Sequence, residues 1–99
     1  MTVTLQLDGK QRTYVLNFIS ARMLRRTIEI SKTVNFDDIS VAELDIMVGY
    51  LVQLFGNQFT VDDVYDGLSA TELIPTLIGC IQEVVGELSN TTTGDEKNA

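Results

Sequence analysis

The spacing of apolar residues along the chain changes near residue 20. Before it, Val3, Leu5 and Leu7 alternate with Thr2, Thr4 and Gln6, and Tyr14, Leu16 and Phe18 alternate with Thr13, Val15 and Asn17. A period of two puts each set on one face of a pleated strand. Between the runs, Asp8-Gly9 supplies two residues that tolerate the positive φ of a tight hairpin turn. The pattern predicts a β-hairpin over about 2–7 and 11–18. Two strands alone are marginal in water, so their apolar face has to pack on helices.

After residue 20 the period is helical. Ser20 is placed to cap a helix to about Lys32, with Ala21, Met23, Leu24, Ile28 and Ile30 on one arc and Arg22, Arg25, Arg26, Glu29 and Lys32 on the other. Thr33 to Ile39 is a polar connection anchored by Phe36 and Ile39. Three start signals follow: Ser40-x-x-Glu43, Thr60-x-x-Asp63 and Ser69-x-x-Glu72. In each a hydroxyl can accept from the free N–H groups of a first turn, and in the first and last the glutamate can reach back to the cap's own N–H. Helices are therefore predicted over about 41–55, 61–66 and 70–88, with Gly56 and Gly67 as left-handed C-terminal stops.

The helix at 41–55 carries a core stripe of Val41, Leu44, Met47, Val48, Leu51, Val52, Leu54 and Phe55. Ile46 and Tyr50 fall nearly opposite and are read as an outward contact site. Phe55 and Phe59 flank the helix break and are read as a wedge that fixes the angle of the next helix. In the last helix Leu73 to Leu88 fill one arc, while Pro75, Gly79, Gln82 and Gly86 line the other. Pro75 removes one helical hydrogen bond, which predicts a kink or a late helix start. SNTTTGDEKNA, residues 89–99, is polar and predicted disordered. The fold class is α+β: an N-terminal β-hairpin packed on a small bundle of three longer helices and one short helix. The domain spans 1–88 and the tail 89–99.

Composition narrows the function. There is no histidine, no serine or cysteine with a base partner at a catalytic spacing, and no Gly-rich phosphate loop, so an enzyme is not expected and no cofactor is implied. Asp62, Asp63 and Asp66 lack the alternation, central glycine and distal glutamate of a calcium loop, and no metal is expected. The one cysteine, Cys80, falls on an apolar helix face as a small buried hydrophobe. No apolar run approaches the roughly 18 residues of a membrane span, and the N-terminus is not a signal peptide, which predicts a cytoplasmic protein without a membrane partner.

The net charge of −7 argues against nucleic acid as the main partner. Its distribution is more informative. Six of the seven basic residues precede Thr33, and from there to Glu96 there are twelve acidic residues and no basic one. Arg22, Arg25 and Arg26 share one helix face. That face is either an ordinary solvated one, satisfied by Glu29 or by Asp37, Asp38 or Glu43, or a basic ridge that docks head to tail on the acidic remainder of another copy.

The stretch LVQLFGNQFTVDDVYDGLSATELIP, with Arg22-Met23-Leu24-Arg25 and the opening strands, resembles the tail assembly chaperones of long-tailed, siphovirus-type bacteriophages of Gram-positive bacteria. The resemblance covers roughly residues 3 to 88 and contains no catalytic signature. It implies the short form of a chaperone pair whose longer form arises by programmed ribosomal frameshifting. Such a protein coats the tape measure protein, keeps it soluble and recruits tail tube subunits. It works in the bacterial host cytoplasm as a homo-oligomer and is not expected in the mature virion. The candidate partner interface is Arg22, Arg25, Arg26, Ile46 and Tyr50. The alternative is another small phage assembly protein, a head–tail connector or scaffold-like adaptor.

Overall fold

The computed structural model describes the backbone of residues 1–98 and the side chains of residues 1–86. The predicted α+β architecture is present: an antiparallel hairpin, β1 (Thr2–Leu7) and β2 (Lys10–Val15), then four helices, α1 (Ala21–Thr33), α2 (Val41–Leu54), α3 (Val61–Gly67) and α4 (Ala70–Asn98). Asp8 and Gly9 take φ of 53° and 76°, the two left-handed residues of a type I′ turn. Strand β2 ends at Val15, three residues short of the prediction. The register sets Met1 opposite Leu16, whose N–H donates to the Met1 carbonyl at 2.9 Å, so Asn17 and Phe18 have no partner on β1.

The caps at Ser20, Ser40 and Thr60 follow the sequence, while at Ser69 only the return bond forms: Ser69 N donates to Glu72 Oε1 at 3.1 Å, and Glu72 N donates to the Ser69 carbonyl, not its hydroxyl, at 3.0 Å. Ser20 Oγ accepts from Met23 N at 3.2 Å. Ser40 Oγ accepts from Glu43 N at 3.1 Å while Glu43 Oε1 accepts from Ser40 N at 3.0 Å. Thr60 and Asp63 form the same reciprocal pair, so the shorter aspartate also reaches back, at 3.0 Å. Four orphan N–H groups are thereby satisfied at the starts of α2 and α3. Helix α2 ends in a Schellman motif: Asn57 N donates to Val52 O at 2.9 Å and Gly56 N to Gln53 O at 3.0 Å, with Gly56 at φ 68°.

Gly67 corrects its reading as a left-handed stop. It is the buried last residue of α3, and a Cβ there would lie 3.0 Å from Leu5 Cβ and 3.3 Å from Leu7 Cδ2. Only a glycine lets α3 approach β1 this closely. Nor does α4 start late. Ser69 O accepts from Leu73 N at 3.1 Å, and the helix passes through Pro75, leaving the Thr71 carbonyl without its usual donor. The backbone of α4 is helical to Asn98, past the predicted end at Leu88. Nothing is described of the side chains beyond Gly86, and the expected tail over 89–99 lies outside those described residues.

The core runs from Val3 and Leu5 through Ile30, six residues of α2, Val64, and the Leu77, Cys80, Ile81 and Val84 stripe of α4. Tyr14, Phe55 and Phe59 join the hairpin to the end of α2, with ring centroids 4.9 Å apart for Tyr14–Phe59 and 5.6 Å for Phe55–Phe59. Both phenylalanines are buried, in line with their reading as a structural wedge.

Candidate partner interface

Helices α1 and α2 run antiparallel. Thr27 faces Tyr50, and Asn35 N donates to Glu43 Oε2 at 3.3 Å across the other end of the pair. The arginines of α1 therefore flank the C-terminal end of α2. Arg22 stands in the first turn of α1, which holds no acidic residue, and there the helix dipole disfavours a cation. Helix stability does not account for that placement.

Arg22, Arg25 and Arg26, with Met23, Glu29 and Gln53, line an open recess of about 300 Å³. Arg26 approaches Glu29 at 3.9 Å, the outer limit of an ion pair, with both side chains about half exposed. Such a pair contributes about 0–1 kcal/mol. Among the described residues, Arg22 and Arg25 have no carboxylate within ion-pair reach. Glu43 is occupied by the N–H groups of Ser40 and Asn35, which hold its carboxyl below the usual range. The intramolecular pairing that the sequence allows is thus absent among the described residues, apart from the marginal contact with Glu29.

Met23 and Gln53 also line a second recess of about 350 Å³, with Val15, Leu16, Phe18 and Leu54 on its walls. The two recesses adjoin at Met23 and Gln53, with arginines along the first and Val15, Leu16, Phe18 and Leu54 along the second. Phe18 has 79% of its surface exposed. Strand alternation puts Phe18 on the buried face, but the strand stops before reaching it.

The Ile46/Tyr50 pair is split. Ile46 is outward, 46% exposed, as expected. Tyr50 is 1% exposed, and its outward reading is corrected. Helix α2 packs against α1, α3 and α4, so its buried arc is wider than a one-sided stripe. Tyr50 falls on the side facing α1, where its hydroxyl lies 2.6 Å from Thr27 Oγ1. Burial raises the Tyr50 pKa. Val41, assigned to the core stripe, is 77% exposed on the first turn of α2.

Elsewhere the chemistry is structural. The Tyr65 hydroxyl donates to Asp45 Oδ1, and burial together with that carboxylate pushes Tyr65 up to about 12. Cys80 is a buried free thiol, raised by burial to about 11. Among the described residues no three metal-ligating side chains cluster, and no helix is long and apolar enough to cross a membrane. The sequence model of one family, described as phage tail chaperone protein, matches residues 1–99.

The chain belongs to the phage tail chaperone family. A tail chaperone acts by binding, which implies a non-catalytic protein serving tail assembly. No curated protein and no solved structure matches the chain. The arginine-lined recess, the exposed Phe18 and Ile46, and the buried Tyr50 are therefore read from this tail chaperone's own geometry.

Proposed function

We propose that this tail chaperone is the short form of a frameshifted pair in a siphovirus-type phage of Gram-positive bacteria. In this reading, copies of it and of the longer form coat the tape measure protein and keep it soluble. They recruit tail tube subunits until the tube polymerises. The protein acts in the host cytoplasm and leaves before the virion matures. One observation carries the proposal: a whole-chain match to the tail chaperone family in a protein whose adjoining recesses present cationic and apolar surface. Coating an elongated apolar client calls for apolar contact area, supplied by Phe18 and Ile46, and for polar rim contacts that fix orientation, supplied by the arginines.

Co-expression with the tape measure protein encoded by the same phage is the test. The tape measure protein should move from the pellet to the soluble fraction and co-purify with the chaperone. A client equally insoluble with and without this chain overturns the proposal. Mass spectrometry of purified virions should find no peptide of this chain.

A further inference from the structure

The recesses that adjoin at Met23 and Gln53 differ in the kind of wall they present. One holds the exposed Arg22 and Arg25 and the partly covered Arg26. The other holds Val15, Leu16 and the exposed Phe18. Met23, common to both, is an adaptable apolar side chain, and the exposed Gln53 carries an amide that can donate and accept. Positive charge has two sources here. Arg22 stands in the first turn of α1, where the free N–H groups form the positive end of the helix dipole, and that turn holds no acidic residue. Among the described residues only Glu29 brings a carboxylate within ion-pair reach of an α1 arginine, approaching Arg26 at 3.9 Å. Glu29 lies about two turns beyond Arg22, on the side away from Phe18.

We infer that these recesses select a short acidic amphipathic helix of the client, with one bulky apolar residue beside two carboxylates spaced a single turn apart. The apolar residue packs against Phe18 and Met23. The carboxylates face Arg22 and Arg25, which are i,i+3 neighbours with Cβ atoms roughly 5–6 Å apart, the spacing of two acids at i,i+3 or i,i+4 on the client helix. An arginine fork can hold a carboxylate through two parallel bonds, so the pair fixes orientation as well as sign. The dipole of α1 favours the acid nearest Arg22. Glu29 limits the run, because a third acid carried past Arg26 would meet like charge. Apolar contact supplies the affinity, and the charges reject a basic or uniformly apolar helix. The inference rests on the chaperone reading for the existence of a client, and it adds the chemistry by which this site chooses a segment of it.

Peptides of about 16 residues, roughly four helical turns, tiling the tape measure protein of the same phage and this chain itself, provide the test when probed with the full-length protein. The bound set should be tape measure peptides with two acids one turn apart beside a bulky apolar residue. Their binding should fall about tenfold between about 50 mM and about 500 mM salt. Arg22→Glu/Arg25→Glu should lose those peptides and gain versions of them in which lysine replaces the two acids. Phe18→Ser should weaken the same peptides about tenfold while keeping their salt dependence. All three positions are exposed, and circular dichroism melting checks that each variant folds. Bound peptides that are basic or neutral, an array with none bound, or a folded charge-reversed variant with the parent's preferences overturns the inference. So does binding confined to peptides of this chain, which would make a second copy the occupant. A client made soluble in co-expression whose bound peptides carry no acids overturns this inference and leaves the chaperone reading standing. A client that stays insoluble while its acidic peptides bind overturns the chaperone reading and leaves the chemistry of the site standing.

Discussion

Arg26 and Thr27 are neighbours on α1 and live in opposite surroundings. Thr27 is fully buried: its hydroxyl donates to Met23 O at 2.7 Å and lies 2.6 Å from the Tyr50 hydroxyl. Arg26 lines an open recess with one marginal partner at 3.9 Å. The inner face is a polar contact with every group satisfied, in a region of low dielectric where an unmade bond is costly. The outer face is a set of charges held ready in water, where each pair contributes little and screening is strong. Inner-face substitutions should therefore change stability, and outer-face substitutions should change association.

The largest expected effect is on the inner side. Tyr50→Ala empties a fully buried site and should cost about 3–5 kcal/mol, the range for a large aromatic in a core. Arg26→Ala, on the adjoining face, should stay within about 0.5 kcal/mol. Urea unfolding measures both, and equal losses would erase the distinction between the two faces.

A finer cut separates the two hydroxyls. Since Thr27 donates to Met23 O, its oxygen is left to accept, and Tyr50 is the donor in the pair. Thr27→Val strands a buried tyrosine hydroxyl and should cost about 1–3 kcal/mol. Tyr50→Phe leaves Thr27 bonded to Met23 O and should cost about 0.5–1.5 kcal/mol. The opposite order in thermal melts would reverse the assigned direction of the bond.

Glycines extend the comparison beyond α1. Gly67→Ala forces a Cβ against Leu5 Cβ at 3.0 Å and should destabilise by about 1–3 kcal/mol through overpacking. Gly49→Ala, on the outward side of α2 with nothing within 4 Å of the new methyl, should stabilise by up to about 1 kcal/mol. A shared sign in unfolding experiments would mean that packing does not separate the two positions.

The smallest effect belongs to the exposed caps. Glu43 and Glu72 are held below the usual carboxylate range, Glu43 chiefly by the Ser40 N–H and Glu72 by hydrogen bonds to Ser69. A depressed folded-state pKa stabilises fully above the ordinary value and loses that contribution as pH falls through the lowered one. The midpoint temperature should therefore drop on acidification from about pH 6 to about pH 3, and Glu43→Gln should shallow that drop. An unchanged slope would leave the capping carboxylate without a role in acid stability.

Local chemistry is legible in the sequence. The Asp8-Gly9 turn, the Ser20, Ser40 and Thr60 caps and the stop at Gly56 each depend on a few adjacent residues, and the structure has all of them. What the sequence does not reveal depends on neighbours distant in the chain. Thr27 passes as a polar residue inside an apolar arc because its partner, Tyr50, lies 23 positions away. Tyr50 reads as outward because α2 has three helical neighbours where a helical wheel assumes one side. Gly67 looks like a stop, and its reason is the β1 strand at the far end of the sequence. The arginine face of the candidate site is legible from spacing alone. The apolar recess adjoining it is not, because alternation assigns Phe18 to a strand that ends at Val15.

The direction of the Tyr50–Thr27–Met23 relay also orders evolutionary drift. Replacing both hydroxyl residues, by Tyr50→Phe and Thr27→Val together, should be close to neutral, since no polar group is then left buried alone. The two routes to that state differ. Losing the tyrosine hydroxyl first passes through a protein whose remaining groups are all paired. Losing the threonine first passes through one with an orphaned hydroxyl in its core. Lineages of this chain should therefore contain Tyr50→Phe with Thr27 retained, and seldom Tyr50 with an aliphatic residue in place of Thr27, so an ancestral tree would record the direction of one proton.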